Sequence, residues 1–368
     1  MASIMVTAQC LCKAQTFTTE VPASNFPLLA TACHCDSCRR VTGALYSINL
    51  PWPEPRVNVD ISKLARYAFS SRIRVFFCRT CSTPIFFEDG DLGDLDVFTG
   101  AVKNDAGDVM DLKIIRHIFV GDTRDGGASM WLRKPNADGS EAKRFKERSR
   151  GEDSTENAIP IRCHCKGVDL VLHRGNYNGK KREELPWFID PKTHKAIAGF
   201  CACDSCRLSF GVDVCNWSFA ELNNISYSEA LTKNGKVFPR NTSELKAAVD
   251  RKDSSIGTLT YYASSPNVQR YFCGSCGACV FYAADDRPDI VDVAIGVLEA
   301  SDGARAEGFH SWALGKVGSI GDTKGGWREG LMARVEKECE EWREQRGYPK
   351  NWRRVEREAA EAKGGTNY

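Results

Sequence analysis

Three cysteines, Cys33, Cys35 and Cys38, fall within the six positions of the segment CHCDSC. Cysteine binds zinc as the thiolate. A structural zinc site normally has four protein ligands, whereas a zinc that binds water or a substrate has three and one open position. The spacing therefore leaves two interpretations. Either His34 or a water completes a structural site, or the three thiolates leave a position open for chemistry.

The same cysteine pattern occurs twice along the chain. Each copy contains Cys-x-Cys, then Cys-x-Cys-x-x-Cys, then Cys-x-x-Cys. The first copy comprises Cys10, Cys12, Cys33, Cys35, Cys38, Cys78 and Cys81, and the second comprises Cys163, Cys165, Cys201, Cys203, Cys206, Cys273 and Cys276. This accounts for 14 of the 17 cysteines. We interpret Cys215 and Cys279 as small buried hydrophobic residues.

Two cysteine pairs can close a tetrahedral zinc site, and three cysteines cannot. We therefore predict one closed site in each copy from the Cys-x-Cys and Cys-x-x-Cys pairs. The three-cysteine segments then remain as open zinc sites, which gives two to four zinc ions per chain. Spacing alone also permits Cys33 and Cys35 to share a zinc with Cys78 and Cys81. We prefer the first partition because it leaves the contiguous triad intact in both copies.

The sequence between the cysteines repeats as well, which indicates a duplicated domain. LARYAFSSRIRVFFCRTC, from Leu64, aligns without a gap to LTYYASSPNVQRYFCGSC, from Leu259, and GDTRDGG at 121 is echoed by GDTKGG at 321. We predict a first domain over 5–132, a charged linker over 133–158 and a second domain over 159–326. Cys38 and Cys78 are 40 positions apart, but Cys206 and Cys273 are 67 apart, so the second domain carries an insertion near 220–255.

Short runs rich in β-branched and aromatic residues, such as RIRVFF and IVDVAIGVL, predict strands in both copies. The fold class is therefore mainly β, with two tandem zinc-bearing domains of antiparallel sheets. The last segment, 327–364, differs. Leu331, Val335, Cys339 and Trp342 recur at helical spacing, which predicts an amphipathic helix packed on a domain. Its charges are interpreted as a solvated face, with a partner-binding helix as the alternative.

The bulk composition narrows the possible partners and the compartment. The chain has 368 residues and a formal net charge of +2, so no basic surface argues for nucleic acid. No apolar run is long enough to span a membrane, and the N-terminus does not resemble a signal peptide. We therefore expect a reducing, cytoplasmic location, in which cysteines serve as metal ligands or reactive thiols.

Arginine and histidine residues near the triads are further candidates for the site. Arg39 and Arg207 directly follow the triads and could anchor a substrate carboxylate or form a plain salt bridge. His117 and His310 lie late in each copy. Each is interpreted either as a packed strand residue or as a pocket wall or proton relay.

Together these motifs resemble the glutathione-dependent formaldehyde-activating enzyme family, which also includes centromere protein V. The resemblance rests on CHCDSCRRVTGA, the upstream Cys-x-Cys, FFCRTC and HIFVGDTRDGG, and it extends to a second tandem copy in which CACDSCRLSFG departs from the pattern. It implies curled antiparallel sheets, a structural zinc on the two outer cysteine pairs and a second zinc on the triad.

The resemblance implies a zinc-dependent carbon–sulfur lyase or adduct-forming enzyme, like S-(hydroxymethyl)glutathione synthase. Its substrates would be a thiol such as glutathione and an aldehyde- or imine-like carbon. A zinc with three thiolates suits a soft ligand, so the substrate thiol is expected at the open position. Cys33, Cys35 and Cys38 would carry the reaction, and Arg39 or His117 would orient the substrate. The alternative is a zinc-stabilised protein-interaction module without catalysis.

Overall fold

The computed structural model describes residues 2–90, 93–104, 111–144, 156–229 and 236–362. Within these ranges the chain is mainly β, with four sheets and five α-helices. None of the described helices combines the length and the apolar character that are needed to cross a bilayer. All 17 cysteines are free thiols.

The described residues of the first half form ten strands and one short α-helix. The strands are β1 (Ser3–Gln9), β2 (Thr16–Pro22), β3 (Leu28–Cys33), β4 (Ser47–Pro51), β5 (Ala65–Ala68), β6 (Ile73–Phe77), β7 (Pro84–Asp89), β8 (Leu95–Phe98), β9 (Leu112–Ile118) and β10 (Lys143–Arg144). The helix α1 (Asp36–Thr42) lies between β3 and β4. Strands β1 and β2 form a hairpin of their own, and the other eight form one sheet.

The described residues of the second half form the remaining ten strands and four α-helices. The strands are β11 (Ala158–Arg162), β12 (Asp169–His173), β13 (Ala196–Cys201), β14 (Cys215–Glu221), β15 (Ile225–Tyr227), β16 (Leu259–Ser265), β17 (Val268–Cys273), β18 (Cys279–Ala284), β19 (Ile290–Ala294) and β20 (His310–Gly318). The helices are α2 (Asp204–Phe210), α3 (Thr242–Asp250), α4 (Trp327–Gln345) and α5 (Trp352–Ala362).

The large sheets of the two halves have the same strand order. It is β9-β3-β4-β8-β7-β6-β5 in the first half and β20-β13-β14-β19-β18-β17-β16 in the second. The sheets are mostly antiparallel, as expected, but β3 pairs with β9 and β13 pairs with β20 in parallel, and the short β10 also pairs with β9 in parallel. The long connection between these strands allows the parallel pairing, which a hairpin would not.

Each triad lies where a buried strand turns directly into a short helix. Cys35 is the N-cap of α1, with its Sγ accepting from the Cys38 backbone N–H, and Cys203 caps α2 in the same way. Both helices end at a glycine in the left-handed conformation, Gly43 and Gly211. A glycine is favoured there because the positive φ disfavours any side chain.

The two halves are joined by reciprocal contacts at these helix ends. The Gly296 N–H donates to the Gly43 carbonyl at 2.8 Å, and the Gly100 N–H donates to the Gly211 carbonyl at 3.1 Å. A Cβ atom on Gly43 would collide with the Cys279 carbonyl, so the backbones meet directly. One continuous apolar core includes buried residues of both halves.

The segments outside the repeated frame also pack against the core. In the predicted linker 133–158, residues 145–155 lie outside the described residues, while β10 pairs with β9 and Arg133 contacts Glu338 of α4 at 3.0 Å. The predicted insertion 220–255 holds β15 and α3, and 230–235 lies outside the described residues. The domain boundaries themselves stay a prediction.

The C-terminal segment forms two helices, α4 and α5, instead of the single amphipathic helix that was predicted. The break falls at 346–351, which contains Gly347 and Pro349. All four residues of the predicted stripe, Leu331, Val335, Cys339 and Trp342, are buried. Residues 363–364 of the predicted tail lie outside the described residues.

Candidate metal centres

Two clusters of four cysteines lie at the turns between β1 and β2 and between β6 and β7, and at the equivalent turns of the second half. The first cluster is Cys10, Cys12, Cys78 and Cys81, and the second is Cys163, Cys165, Cys273 and Cys276. Within each cluster all Sγ atoms lie within 4.8 Å of one another. This is the grouping in which the two outer cysteine pairs of each copy share a site.

The four-cysteine clusters fit a tetrahedral zinc ion. Zinc–sulfur bonds of about 2.3 Å place tetrahedral sulfurs about 3.8 Å apart. The Sγ atom of Cys12 lies 3.5 Å from that of Cys10 and 3.6 Å from that of Cys78. Backbone N–H groups also point at these sulfurs, including Gln15 on Cys10 at 3.3 Å. Such donors stabilise the thiolate form that zinc requires.

The first triad brings Cys33, Cys35 and Cys38 together, with all three Sγ atoms within 4.8 Å. Hydrogen bonds from the Cys33 and Cys38 thiols, together with backbone N–H groups, lower the pKa of Cys35 to about 3. A thiolate is therefore stable at this position at neutral pH. The donor set has three sulfurs at an N-capped helix, which fits a zinc ion with one position left for another ligand.

The second triad has the same backbone arrangement, with Cys201, Cys203 and Cys206 within 4.8 Å. Here hydrogen bonds from Cys201 and then Cys203 hold the pKa of Cys206 well below its usual range. Cys206 also accepts the Trp217 indole N–H at 3.4 Å. The second triad thus stabilises a thiolate as well, but at Cys206, the buried cysteine within α2, and not at the N-cap cysteine.

The Gly-Asp-Thr motifs hold the triad loops in place. Asp322 accepts the backbone N–H of Asp204 at 3.0 Å, directly after Cys203. Asp122 accepts the backbone N–H of Asp36 in the same way, directly after Cys35. The sequence showed that this motif repeats, but it did not indicate that each aspartate anchors a cysteine loop.

Arg39 and Arg207 both form the local salt bridge that was one of the two interpretations. Arg39 pairs with Asp36, three residues earlier, and Arg207 pairs with Asp204 at 2.7 Å. Both arginines are buried, but their further contacts differ. Arg207 also donates to the carbonyls of the Gly100 loop of the first half, whereas Arg39 Nε has no partner within the described chain.

His117 is fully buried and forms a hydrogen-bonded pair with His34. Its Nε2 donates to the Leu132 carbonyl at 2.9 Å, so its Nδ1 accepts from His34 Nε2 at 2.9 Å. Burial lowers the pKa of His117 to about 4 and also lowers that of His34. Both rings are therefore neutral at pH 7, and Nδ1 of His34 is the only ring nitrogen of the pair without a partner among the described residues.

His310 does not occupy the position equivalent to His117, although both lie late in their copies. On the parallel strand pair of the first half, His117 is the partner of Ala32, the residue before Cys33. In the second half the residue before Cys201 is Phe200, and its partner is Val317. His310 pairs with Ala196 at the other end of the strand. The His34–His117 pair of the first half is thus replaced by Ala202 and Val317 in the second.

The residues that face the two triads also differ. Ser47 lies opposite Cys33 on β4, and Asn49 follows it on the same face of the sheet. The equivalent residues on β14 are Cys215, opposite Cys201, and Trp217. Sequence reasoning did not single out these positions as functional. The signal was available, because Ser47 and Cys215 each follow the last triad cysteine by nine residues.

The second half also contributes a residue to the surroundings of the first triad. His164, between Cys163 and Cys165, accepts from or donates to Tyr67 Oη at 2.7 Å and Ser37 Oγ at 3.3 Å. Ser37 lies between two cysteines of the first triad, and its backbone N–H donates to Cys35. No local sequence pattern could have revealed these contacts, because Tyr67 and Ser37 lie 97 and 127 positions before His164 in the chain.

A cleft of about 300 Å³ opens beside the first triad, at the junction of the two halves. Its walls carry charges of both signs, from Arg40 and Asp122 of the first half and Glu299 of the second. Asp36 and Arg39, which follow Cys35 and Cys38, also line it. The cleft therefore lies against α1, and its lining residues include none of the triad cysteines.

Comparison with known proteins identifies a family for part of the chain. Residues 5–122 match the family model described as "Glutathione-dependent formaldehyde-activating enzyme". The matched segment contains the first four-cysteine cluster and the first triad. No curated protein and no solved structure matches the chain. The family resemblance is confirmed for this segment, while its extension to the second half and to centromere protein V stays a prediction.

Proposed function

We propose that the first half is a zinc-dependent enzyme that makes or breaks a carbon–sulfur bond. Its substrates are a thiol such as glutathione and an aldehyde- or imine-like carbon, with formaldehyde as the simplest case. The proposed compartment is the reducing cytoplasm, where the free thiols of both triads persist. The family match over 5–122 and the three-sulfur cluster within it support this proposal.

The observation that carries the proposal is a group of buried polar atoms beside the first triad. Ser47 Oγ and Asn49 Oδ1 have no hydrogen-bond partner anywhere in the described part of the chain. Buried polar atoms without partners are costly, and they recur at sites that bind a ligand. Ser47 is the neighbour of Cys33 on the adjacent strand and Asn49 is the neighbour of Thr31, so the free donor and acceptor lie on the face of the sheet that carries Cys33.

These two side chains match the needs of an addition to a carbonyl. The Ser47 hydroxyl can donate to the carbonyl oxygen, and Asn49 Oδ1 can accept from the hydroxyl that the product carries. The thiol sulfur forms a bond to carbon while the C=O π bond breaks, and the thiol proton ends on the oxygen. A zinc ion on Cys33, Cys35 and Cys38 would supply the Lewis acidity that favours the thiolate form of the substrate.

The charges of the cleft agree with glutathione as the thiol. Glutathione carries two carboxylates and one ammonium group, and the cleft presents Arg40, Arg124, Asp122 and Glu299. Arg40 is held by Glu299 at 3.1 Å, so both halves would position the peptide. Positioning of this kind is worth several orders of magnitude in rate when the reacting atoms are held about 3–3.5 Å apart.

The test is to incubate the zinc-loaded full chain with glutathione and a panel of aldehydes and to identify adducts by mass spectrometry. Adduct formation above the uncatalysed rate is expected for the wild type, with loss of nearly all of it in C35A. N49A should retain its zinc and lose about tenfold or more in rate, because one product contact is removed. C339A is the matched cysteine control, since Cys339 is buried in α4 and belongs to none of the clusters.

An absence of adducts with the fully metallated wild type would overturn the proposal. The zinc-stabilised interaction module would then be the better interpretation. X-ray absorption at the zinc edge gives a second readout, because saturating glutathione should raise the mean sulfur coordination. An unchanged coordination together with catalysis would mean that the thiol reacts without contacting the metal.

A further inference from the structure

The second triad has a fourth cysteine beside it. Cys215 begins β14 and lies directly opposite Cys201 in the antiparallel register, so the two side chains share one face of the sheet. Cys215 is fully buried, and its thiol donates to the backbone carbonyl of Cys201 at 3.3 Å. The first half has Ser47 at the equivalent position, opposite Cys33.

We propose that Cys215 is the fourth ligand of the second triad and closes it into a four-thiolate centre with Cys201, Cys203 and Cys206. The second half then has no open metal position, and its centre is structural. This inference goes beyond the proposed function, because it requires only that a thiophilic metal binds the second triad. The thiol proton of Cys215, which points at the Cys201 carbonyl at 3.3 Å, is released to solvent when the metal binds.

Closing the centre requires the fourth sulfur to come closer to the other three. The Sγ atoms of Cys201, Cys203 and Cys206 lie within 4.8 Å of one another, and that of Cys215 lies outside this group. Cys215 is held opposite Cys201 by the strand register, with its Sγ 3.3 Å from the Cys201 carbonyl oxygen. Cys203 is the half-exposed N-cap residue, on the loop before α2, so its side chain has room to turn. A metal that draws four sulfurs to about 3.8 Å of one another would move this side chain and not the buried strands.

The charges around the second triad agree with a fourth thiolate. Zinc with four thiolates carries a net charge of −2, and zinc with three carries −1, so the closed centre needs more compensation when it is buried. Arg270 is 7% exposed and places Nη1 3.6 Å from Cys206 Sγ. Its equivalent in the first half is the apolar Val75, because Tyr67 pairs with Val75 as Tyr262 pairs with Arg270.

The hydrogen-bond donors near the two triads differ in the same direction as the charges. The Trp217 indole N–H donates to Cys206 at 3.4 Å, and Arg270 Nη2 fixes Ser205, inside the triad, at 2.7 Å. At the first triad the residue equivalent to Trp217 is Asn49, which has an acceptor atom without a partner among the described residues. The second triad is therefore surrounded by groups that stabilise thiolates, and the first by groups that remain free for a ligand.

Cadmium-113 NMR on the full chain separates the two kinds of site, because this soft metal occupies thiolate centres and its chemical shift depends on the number of sulfurs. With all four centres loaded, the wild type should give three resonances in the four-sulfur range and one in the three-sulfur range. C215S, which introduces the first-half residue, should move one resonance from the first range to the second. It should also accelerate release of that metal to a chelator by tenfold or more.

S47C is the matched reverse exchange and should move the fourth resonance into the four-sulfur range. Two four-sulfur resonances in the wild type, a C215S spectrum identical to that of the wild type, or a second triad that takes up no metal would each overturn the proposal. If C215S did not fold, the wild-type spectrum would still decide. The readout does not depend on turnover, so failure of the proposed reaction would leave the result unaffected.

Discussion

The two three-cysteine segments have the same backbone conformation, but the side chains that surround them differ. Both follow a buried strand, cap a seven-residue helix and end at a left-handed glycine. Around the first are Ser47 and Asn49, with polar atoms that lack partners in the described structure, and around the second are Cys215 and Arg270. Ligand spacing thus defines where a metal can bind, whereas the facing strands determine whether it stays accessible.

The largest effect is expected from removing a ligand of a closed four-cysteine cluster. C81A or C276A should leave its half unfolded or insoluble, because a structural zinc contributes about 10–16 kcal/mol, which equals or exceeds the whole stability of most domains. C35A should stay folded and lose one metal. Circular dichroism, solubility and metal content measure this difference, with C339A as the control that costs about 1 kcal/mol.

Equal losses of stability in C35A and C81A would contradict the distinction between open and closed centres. The first triad would then be structural, and the proposed enzyme would lose its main support. The comparison is well matched, because both cysteines lie in clusters of the first half and both are replaced by alanine.

An intermediate effect is expected from Arg270. R270V introduces the residue found at the equivalent position of the first half and removes the cation beside Cys206. Outer partners of this kind typically contribute 10–100-fold in metal affinity, so the second centre should weaken by about that factor. Competition with a chelator, followed for each cadmium resonance, measures it. R251V, at an exposed arginine, should leave every centre unchanged.

The smallest effect concerns the buried pair of His34 and His117. The folded-state pKa of His117 is about 4, below its unfolded value of 6.5, so the unfolded chain takes up protons first as the pH falls. The stability of the wild type should therefore decrease between about pH 6.5 and 4, by about 1.4 kcal/mol for each pKa unit at each histidine. H34A/H117V, which introduces the second-half residues, should have a shallower pH dependence.

Urea unfolding at several pH values measures this slope. Both proteins retain the same cysteine clusters, so acid release of metal affects them equally and the difference isolates the histidines. H173A is the control, since His173 is exposed on β12. Parallel pH profiles of the wild type and the double variant would show that the pair is not buried in its neutral form.

The cysteine frame and the mainly β fold could be predicted from the sequence, because repeated spacing and β-branched runs are local signals. The gap-free alignment from Leu64 and Leu259 gives the same register for β5 and β6 as for β16 and β17. The parallel pairing of β3 with β9 could not be predicted in this way, since it depends on strands 84 residues apart. The same holds for the contact of His164 with Ser37, which joins two halves of the chain.

Other features were within reach of the sequence and were interpreted too simply. Cys215 was expected to be a small buried hydrophobic residue, and it is buried, but it also lies directly opposite Cys201 of the second triad in the strand register. His310 was expected to be the equivalent of His117 because both lie late in their copies. The strand register instead makes Val317 the equivalent of His117, since His117 pairs with Ala32 and Val317 pairs with Phe200. A triad must therefore be interpreted together with the strand that pairs with it, since that strand supplies the neighbours of the metal.

The reciprocal hydrogen bonds of Gly43 with Gly296 and of Gly211 with Gly100 join the two halves of the chain as an interface joins the subunits of a dimer. Each half therefore supports the backbone around the triad of the other half. Under the closed second centre proposed above, one chain would divide an open and a structural metal centre between its two halves. A symmetric dimer of identical chains would have to make such a change at both sites simultaneously.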